Sequence, residues 1–236
     1  MAGCGECVGA STILMTSPGV VVENLTMRFR GSPGGRPIFE NLSLVLERDS
    51  RLALLGRNGQ GKSTLIKLLG GVLPPTSGRI LWGMRPSWPI GFGGGFQGSL
   101  SGLDNIRFLS RIYNQDYRES IDRVESFAEL GSALQRPVKH YSSGMRARLA
   151  FGLSLAFEFD CYMIDEIVAV GDARFQIKCR EELFQKRANK SFIMASHDVA
   201  LVQETCERAL ILEGGQAKLF DDIGEALEIY HWLRTK

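Results

Sequence analysis

Apolar and polar positions along this chain change rhythm several times, and each change marks an element. Residues 20–29 run apolar from Val20, Val21 and Val22 and then alternate, as a β-strand does. Residues 31–37 are rich in glycine and proline and predict a turn. Residues 38–47 place Ile38, Leu42, Leu44 and Leu46 on an apolar set whose polar partners face water, a second strand. Residues 51–55 form a short continuous apolar run, the pattern of a strand buried on both faces. After a turn at residues 74–78 a strand resumes at residues 79–82. Residues 87–99 carry glycine at a density that predicts a loop rather than an element interior. Helical spacing takes over at residues 103–113 and 117–130, where Ile121, Val124, Phe127 and Leu130 recur on one face. A helix at residues 148–157 follows, opened by serines that suit an N-cap. Short apolar strands then end at Asp165 and Ala195, strands lie around Leu210 and at residues 216–220, and a helix at residues 223–232 closes the pattern. Strands alternating with helices predict an α/β fold with a mainly parallel sheet and right-handed crossovers.

The stretch Gly56-Arg57-Asn58-Gly59-Gln60-Gly61-Lys62-Ser63-Thr64 lies between the apolar run at residues 51–55 and the helical pattern of residues 65–69. Strand, glycine turn and helix is the context of a phosphate-binding loop. Glycines let backbone N–H groups converge as an anion cradle, and the helix points its positive end at the same phosphates. Lys62 supplies a charge for the β- and γ-phosphates, and the Ser63 hydroxyl can coordinate Mg²⁺. The chain is therefore expected to bind a nucleoside triphosphate.

Composition narrows the class. The 236 residues suit one large or two small domains, and a net charge of +2 with 23% charged residues gives no reason to invoke nucleic acid. No apolar run approaches the about 20 residues that span a bilayer. The best, residues 149–157, is broken by Gly152 and Ser154. The five cysteines are scattered, which fits reduced thiols rather than a disulfide framework. Cys4 and Cys7 form a Cys-x-x-Cys without a second ligand pair nearby, so a flexible tail at residues 1–18 is expected rather than a zinc site. Met15 is an alternative start.

Asp165 at a strand end opposite the phosphate loop is placed to hold the water shell of Mg²⁺, and Glu166 beside it to orient or deprotonate an attacking water. His197, after another apolar strand, can hydrogen-bond a γ-phosphate. Gly56, Asp165 and His197 all fall at carboxyl ends of strands, where ligands sit in open parallel sheets.

With Gln97, Ser142-Ser143-Gly144-Met145, Ala169-Val170-Gly171-Asp172 and His197 standing in this order, the chain from about residue 20 onward resembles an ABC transporter nucleotide-binding domain. The resemblance implies an ATPase core at residues 19–236 with an antiparallel N-terminal β part and a helical subdomain at about residues 98–157. By the same resemblance Phe29 stacks on adenine, and Gln97 is a catalytic and metal-contacting glutamine. Ser142, Ser143, Gly144 and Met145 form the signature that binds ATP held by a second copy, and Asp165 and Glu166 are the acidic pair. Asp172 is the D-loop aspartate, and Gly56, Asn58, Gly59, Gly61, Lys62, Ser63 and Thr64 hold the phosphates. Tyr141, Ser143 and Met145 depart from the commonest signature.

The segments from Trp88 to Leu100, from Tyr141 to Gly152 and from Ile164 to Asp172 look like the ATPase subunits that export bacterial capsular polysaccharide. O-antigen and teichoic-acid exporters share the last of these and are the alternative; a soluble ABC ATPase acting on ribosomes or DNA is a second class. O-antigen ATPases often add a carbohydrate-binding domain, for which residues after 232 are expected to leave no room. ATP and Mg²⁺ are the implied cofactors. The implied partners are an integral membrane permease and a second copy of the chain, at the cytoplasmic face of the inner membrane, with the polysaccharide met only indirectly and no nucleic acid bound. Residues 91–103, glycine-dense and bearing Phe92 and Phe96, are expected to move with Gln97 and to lie beside the permease.

Overall fold

The computed structural model describes residues 18–29, 37–90, 96–165 and 173–235. Residues 1–17 with Cys4 and Cys7, residues 91–95 with Phe92, and residues 166–172 with Glu166 and Asp172 lie outside the described residues. In chain order the first elements are β1 (Val20–Met27), β2 (Phe39–Leu46), β3 (Arg51–Leu55), α1 (Lys62–Leu69), β4 (Ser77–Trp82) and β5 (Pro86–Ile90). Then follow α2 (Gly102–Ile112), α3 (Tyr117–Ala128), α4 (Ser143–Ala156), β6 (Cys161–Asp165) and α5 (Ala173–Arg180). The chain continues through β7 (Ser191–Ala195), α6 (Val199–Thr205), β8 (Arg208–Glu213), β9 (Gln216–Phe220) and α7 (Ile223–Thr235).

Among the described residues the strands form two sheets, one ordered β2-β1-β4 and antiparallel, the other ordered β5-β6-β7-β3-β8-β9. In the second, all neighbours are parallel except β8 and β9. The apolar run of β3 has the two-faced burial expected of it. Ala53 and Leu55 face a core shared with α2, α3 and α4, whereas Leu52 and Leu54 face a core shared with α1 and the antiparallel sheet. β6 and β7 alternate the same way, Ile164 and Met194 on the first face, Met163 and Ile193 on the second. The parallel sheet is thus the layer between two cores, and its strand ends are the place left for a ligand.

The glycine-dense residues 87–99 are not loop throughout. β5 occupies residues 86–90 and pairs in parallel with β6. Two prolines are tolerated because β5 is an edge strand, where missing N–H groups cost no ladder bonds. The pairing shifts register between Pro86 and Pro89, and the buried Ser87 Oγ accepts the Met163 N–H at 2.9 Å in place of a backbone carbonyl. α4 likewise starts earlier than residue 148: Ser142 is its N-cap and accepts from Met145 N at 3.2 Å. α5 and α6 are short helices that are not among the elements expected from the sequence.

Cys161, Cys179 and Cys206 are buried free thiols. Burial pushes Cys179 up to about 12 and Cys206 up to about 11, and raises Cys161 as well. They are protonated packing residues at neutral pH, not nucleophiles or ligands. Among the described residues no helix is long and apolar enough to cross a membrane.

Candidate functional site: a phosphate loop at three strand ends

β6, β7 and β3 lie side by side, and their registers align Asp165 with Ala195 and Ala195 with Leu54. The segments leaving their carboxyl ends converge on one cavity of about 560 Å³, within the range of about 300–1,000 Å³ usual for ligand sites. Asn58, Gly59, Gly61, Lys62, Ser63 and Thr64 line it from the loop after β3, Asp165 from β6, and His197 from the segment after β7. Phe29 and Ile38 form its rim, with Phe29 48% exposed, as an aromatic platform for a planar base requires. Ile38, Ala195 and Ser196 line the cavity too, although nothing in their spacing marks them.

The loop takes positive φ at Gly56, Gly59 and Gly61, and at two of these a Cβ would also collide with its surroundings. Gly56 has φ 147 and a Cβ there would stand 2.4 Å from Leu212 O. Gly61 has φ 99, and its Cβ would stand 2.4 Å from Ile38 Cγ2. Gly61 is also the N-cap of α1 and offers no side-chain acceptor, so the first N–H groups of α1 are left directed at the cavity. Lys62 Nζ donates to the Gly56 and Arg57 carbonyls at 2.6 and 3.1 Å, which centres its charge in the loop. The β8–β9 turn braces the loop from behind: Gly214 N donates to Gln60 Oε1 at 2.9 Å and Arg57 pairs with Glu213.

Ser63 Oγ donates to Asp165 Oδ1 at 2.9 Å. Two hard oxygen donors side by side, facing a cradle for phosphates, fit a divalent cation that takes its remaining ligands from water and substrate. Among the described residues no group of three or more His, Cys, Asp or Glu side chains is placed to hold a metal ion.

His197 is half-buried, with Nδ1 3.2 Å from Tyr230 Oη. Its neighbour Asp198 caps α6, accepting from Leu201 N at 3.1 Å, and ion-pairs with Arg180 at 2.9 Å. The Leu201 N–H and the Arg180 guanidinium hold the Asp198 carboxyl below the usual carboxylate range.

Ser142, Ser143, Gly144 and Met145 do not line the cavity. Ser142 and Ser143 are exposed at the start of α4, whose N-terminus is therefore available to something outside this chain. Tyr141 explains one departure from the commoner signature. It is buried, its hydroxyl donates to Ala133 O at 2.6 Å, and burial raises its phenol. The aromatic anchors the segment that presents the two serines.

The Gln97 side chain is exposed and does not line the cavity either. Its backbone is held by the Asn105 side chain. Asn105 Oδ1 accepts from Gln97 N at 2.7 Å, and Nδ2 donates to the Gln97 and Ser101 carbonyls at 3.1 and 2.8 Å. A 1% exposed asparagine with every bond made to one loop is the sole clue, and it is invisible without the fold. Asn105→Ala should lower stability by about 2–3 kcal/mol, since three hydrogen bonds of about 1 kcal/mol each are lost and the Gln97 N–H loses its acceptor. The Gln97 and Ser101 carbonyls still accept from Leu100 N and Asn105 N. Urea unfolding measures this; a change below about 0.5 kcal/mol would show that the loop does not need the clamp.

Comparison with known proteins follows the same lines. Residues 39–169 match the ABC transporter family. The chain is similar to the capsule polysaccharide export ATP-binding protein CtrD of Neisseria meningitidis serogroup B, 50% identical over 91% of this chain and 99% of that one. It is 47% identical to the ATP-binding protein BexA of Haemophilus influenzae over 89% of this chain and 97% of the relative. Among solved structures, the dimeric structure of a post-hydrolysis ATP-binding cassette bound to ADP and Pi superposes with a TM-score of 0.71 at 18% identity, covering 86% of this chain and 98% of that one. At that identity the likeness speaks for the fold alone.

Proposed function

This chain belongs to the ABC transporter family, and from that premise we propose that it is the ATP-hydrolysing subunit of an exporter of capsular or related cell-surface polysaccharide. The observation that carries the substrate class is 50% identity running through 99% of the length of a capsule polysaccharide export ATP-binding protein. The chain acts with a separate integral membrane permease, at the cytoplasmic face of the inner membrane.

The residues act as follows. Loop N–H groups and the start of α1 hold the triphosphate, Lys62 neutralises the β- and γ-phosphates, and Phe29 stacks on the base. Ser63, Asp165 and Gln97 would hold Mg²⁺, and the ion would supply charge neutralisation at the phosphate oxygens. Glu166 takes a proton from water as that water attacks the γ-phosphorus and the bond to the β-phosphate oxygen breaks. His197 donates to a γ-phosphate oxygen. Ser142 to Met145 of a second copy close over the same nucleotide, and Asp172 serves the seam between copies. The exposed start of α4, which does not line its own cavity, supports this two-copy arrangement, its anion donors being available to a nucleotide held by another copy.

Phe96 is half-buried and packs on the main core, so it does not offer a docking surface. The exposed apolar residues nearby are Leu100 before α2, and Phe108 with Ile112 four residues apart on α2. These are assigned to the permease. In cells lacking this chain, surface polysaccharide should fall to background and return with the wild-type gene. Phe108→Asp with Leu100→Asp should keep the ATPase of the purified chain and lose export by about tenfold or more, as for an interface anchor worth at least about 1.4 kcal/mol. Unchanged surface polysaccharide in the deletion strain would refute the substrate class; normal export by the double variant would move the docking site elsewhere.

A further inference from the structure

The imidazole of His197 is a partition between two cavities. One is the nucleotide cavity; the other, of about 300 Å³, is bounded by Arg57, Asn58, Tyr230 and Arg234. On the side of the second cavity His197 Nδ1 meets Tyr230 Oη at 3.2 Å, across 33 residues of sequence. Tyr230 stands on α7 and is 2% exposed, its ring inside the core that also holds Met194 and Ile211. The Arg234 guanidinium lies over that ring, 5.5 Å from its centroid. Tyr230 is therefore a fixed post, and His197, half-buried at a strand end, is the movable partner.

We propose that Tyr230 is a positioning residue for ATP hydrolysis, setting the orientation of His197 and supporting its Nε2–H form. A phenolic hydroxyl can donate to Nδ1 or accept from it, so the contact fixes which ring nitrogen faces the tyrosine. Because Nδ1 is turned to the tyrosine, Nε2 is the nitrogen that can donate toward a γ-phosphate, and in that Nε2–H form the hydroxyl donates to Nδ1. The other tautomer would set two acceptor lone pairs, imidazole and phosphate, against each other across the nucleotide cavity. Tyr230 does not touch the reacting atoms; it acts through the histidine, which makes α7 part of the ATPase site although its helix contributes no residue to the nucleotide cavity. The inference rests on the assignment of His197 to the γ-phosphate.

The test is MgATP turnover by the full-length chain in a double-mutant cycle. Tyr230→Phe keeps the buried ring and the Arg234 contact and removes only the hydroxyl. It should lower kcat about three- to tenfold, the value of one hydrogen bond, and leave KM for ATP within about twofold. His197→Ala should lower kcat further, and in that background Tyr230→Phe should change nothing. Imidazole ¹⁵N shifts should report a bare Nδ1 in the wild-type chain and a loss of that preference in Tyr230→Phe. Normal turnover by His197→Ala would remove the histidine assignment and the inference with it. Impaired His197→Ala with normal Tyr230→Phe, an equal Tyr230→Phe deficit in both backgrounds, or a protonated Nδ1 in the wild type would overturn the inference alone.

Discussion

Lys62→Ala should abolish ATP turnover, by about 10²–10³-fold or more, without unfolding the protein. The ammonium sits inside its own loop, bonded to the Gly56 and Arg57 carbonyls at 2.6 and 3.1 Å, so it is already where the β- and γ-phosphates must lie. Removing a preorganised charge from a site that stabilises developing phosphate charge costs about 3–4 kcal/mol. The helix itself gains, because alanine is a better helix former than lysine at the first position of α1. Calorimetric titration with MgATP, phosphate release and thermal unfolding measure the three quantities separately. Tight binding with ordinary turnover by this variant would mean that the cavity is not a triphosphate site.

Asp165 and Glu166 should fail in different ways. Asp165 shares a 2.9 Å hydrogen bond with Ser63 Oγ at the end of a central strand, a donor pair for a cation. Asp165→Asn keeps the shape and removes the charge, so the Mg²⁺ concentration needed for half-maximal turnover should rise about tenfold or more. Glu166, one residue further along the chain, is assigned to the attacking water. Glu166→Gln should bind MgATP with near-normal affinity and lose turnover by about 10²–10⁴-fold, the contribution of a positioned general base. Because its nucleotide is not consumed, that variant should also elute as a dimer in MgATP, held by two nucleotides between the phosphate loop of each copy and Ser142 to Met145 of the other. A monomeric Glu166→Gln variant with ordinary turnover, or an Asp165→Asn variant with unchanged Mg²⁺ dependence, would contradict the division of roles.

Legibility in the sequence followed the range of the interaction. The phosphate loop was readable because its chemistry is contiguous: glycines, lysine and serine act within nine residues between a strand and a helix. The both-face burial of β3 was readable because a central parallel strand has no polar side to show. β5 was not. Its prolines and neighbouring glycines are loop residues by local preference, and only an edge position beside β6, with Ser87 standing in for a backbone acceptor, makes a strand of them. The N-cap role of Ser142 was visible, but the first turn of α4 was not, since Ser143 and Gly144 are weak helix formers held by the cap and by Tyr141 beneath.

What the sequence determined by itself, then, was the chemistry: a triphosphate cradle, a carboxylate at a strand end, a histidine at another, and a serine-led helix start. What only the tertiary structure decided was which of these meet. The order β6-β7-β3, set by non-local pairing, puts Asp165, His197 and the phosphate loop on one cavity although 102 residues separate Ser63 from Asp165. The same packing leaves Ser142 to Met145 outside it, ties the Gln97 backbone to Asn105, and brings Tyr230 from the last helix to the back of His197. Local spacing cannot carry such contacts, because they depend on which apolar faces bury against each other, and that is settled by the whole chain at once.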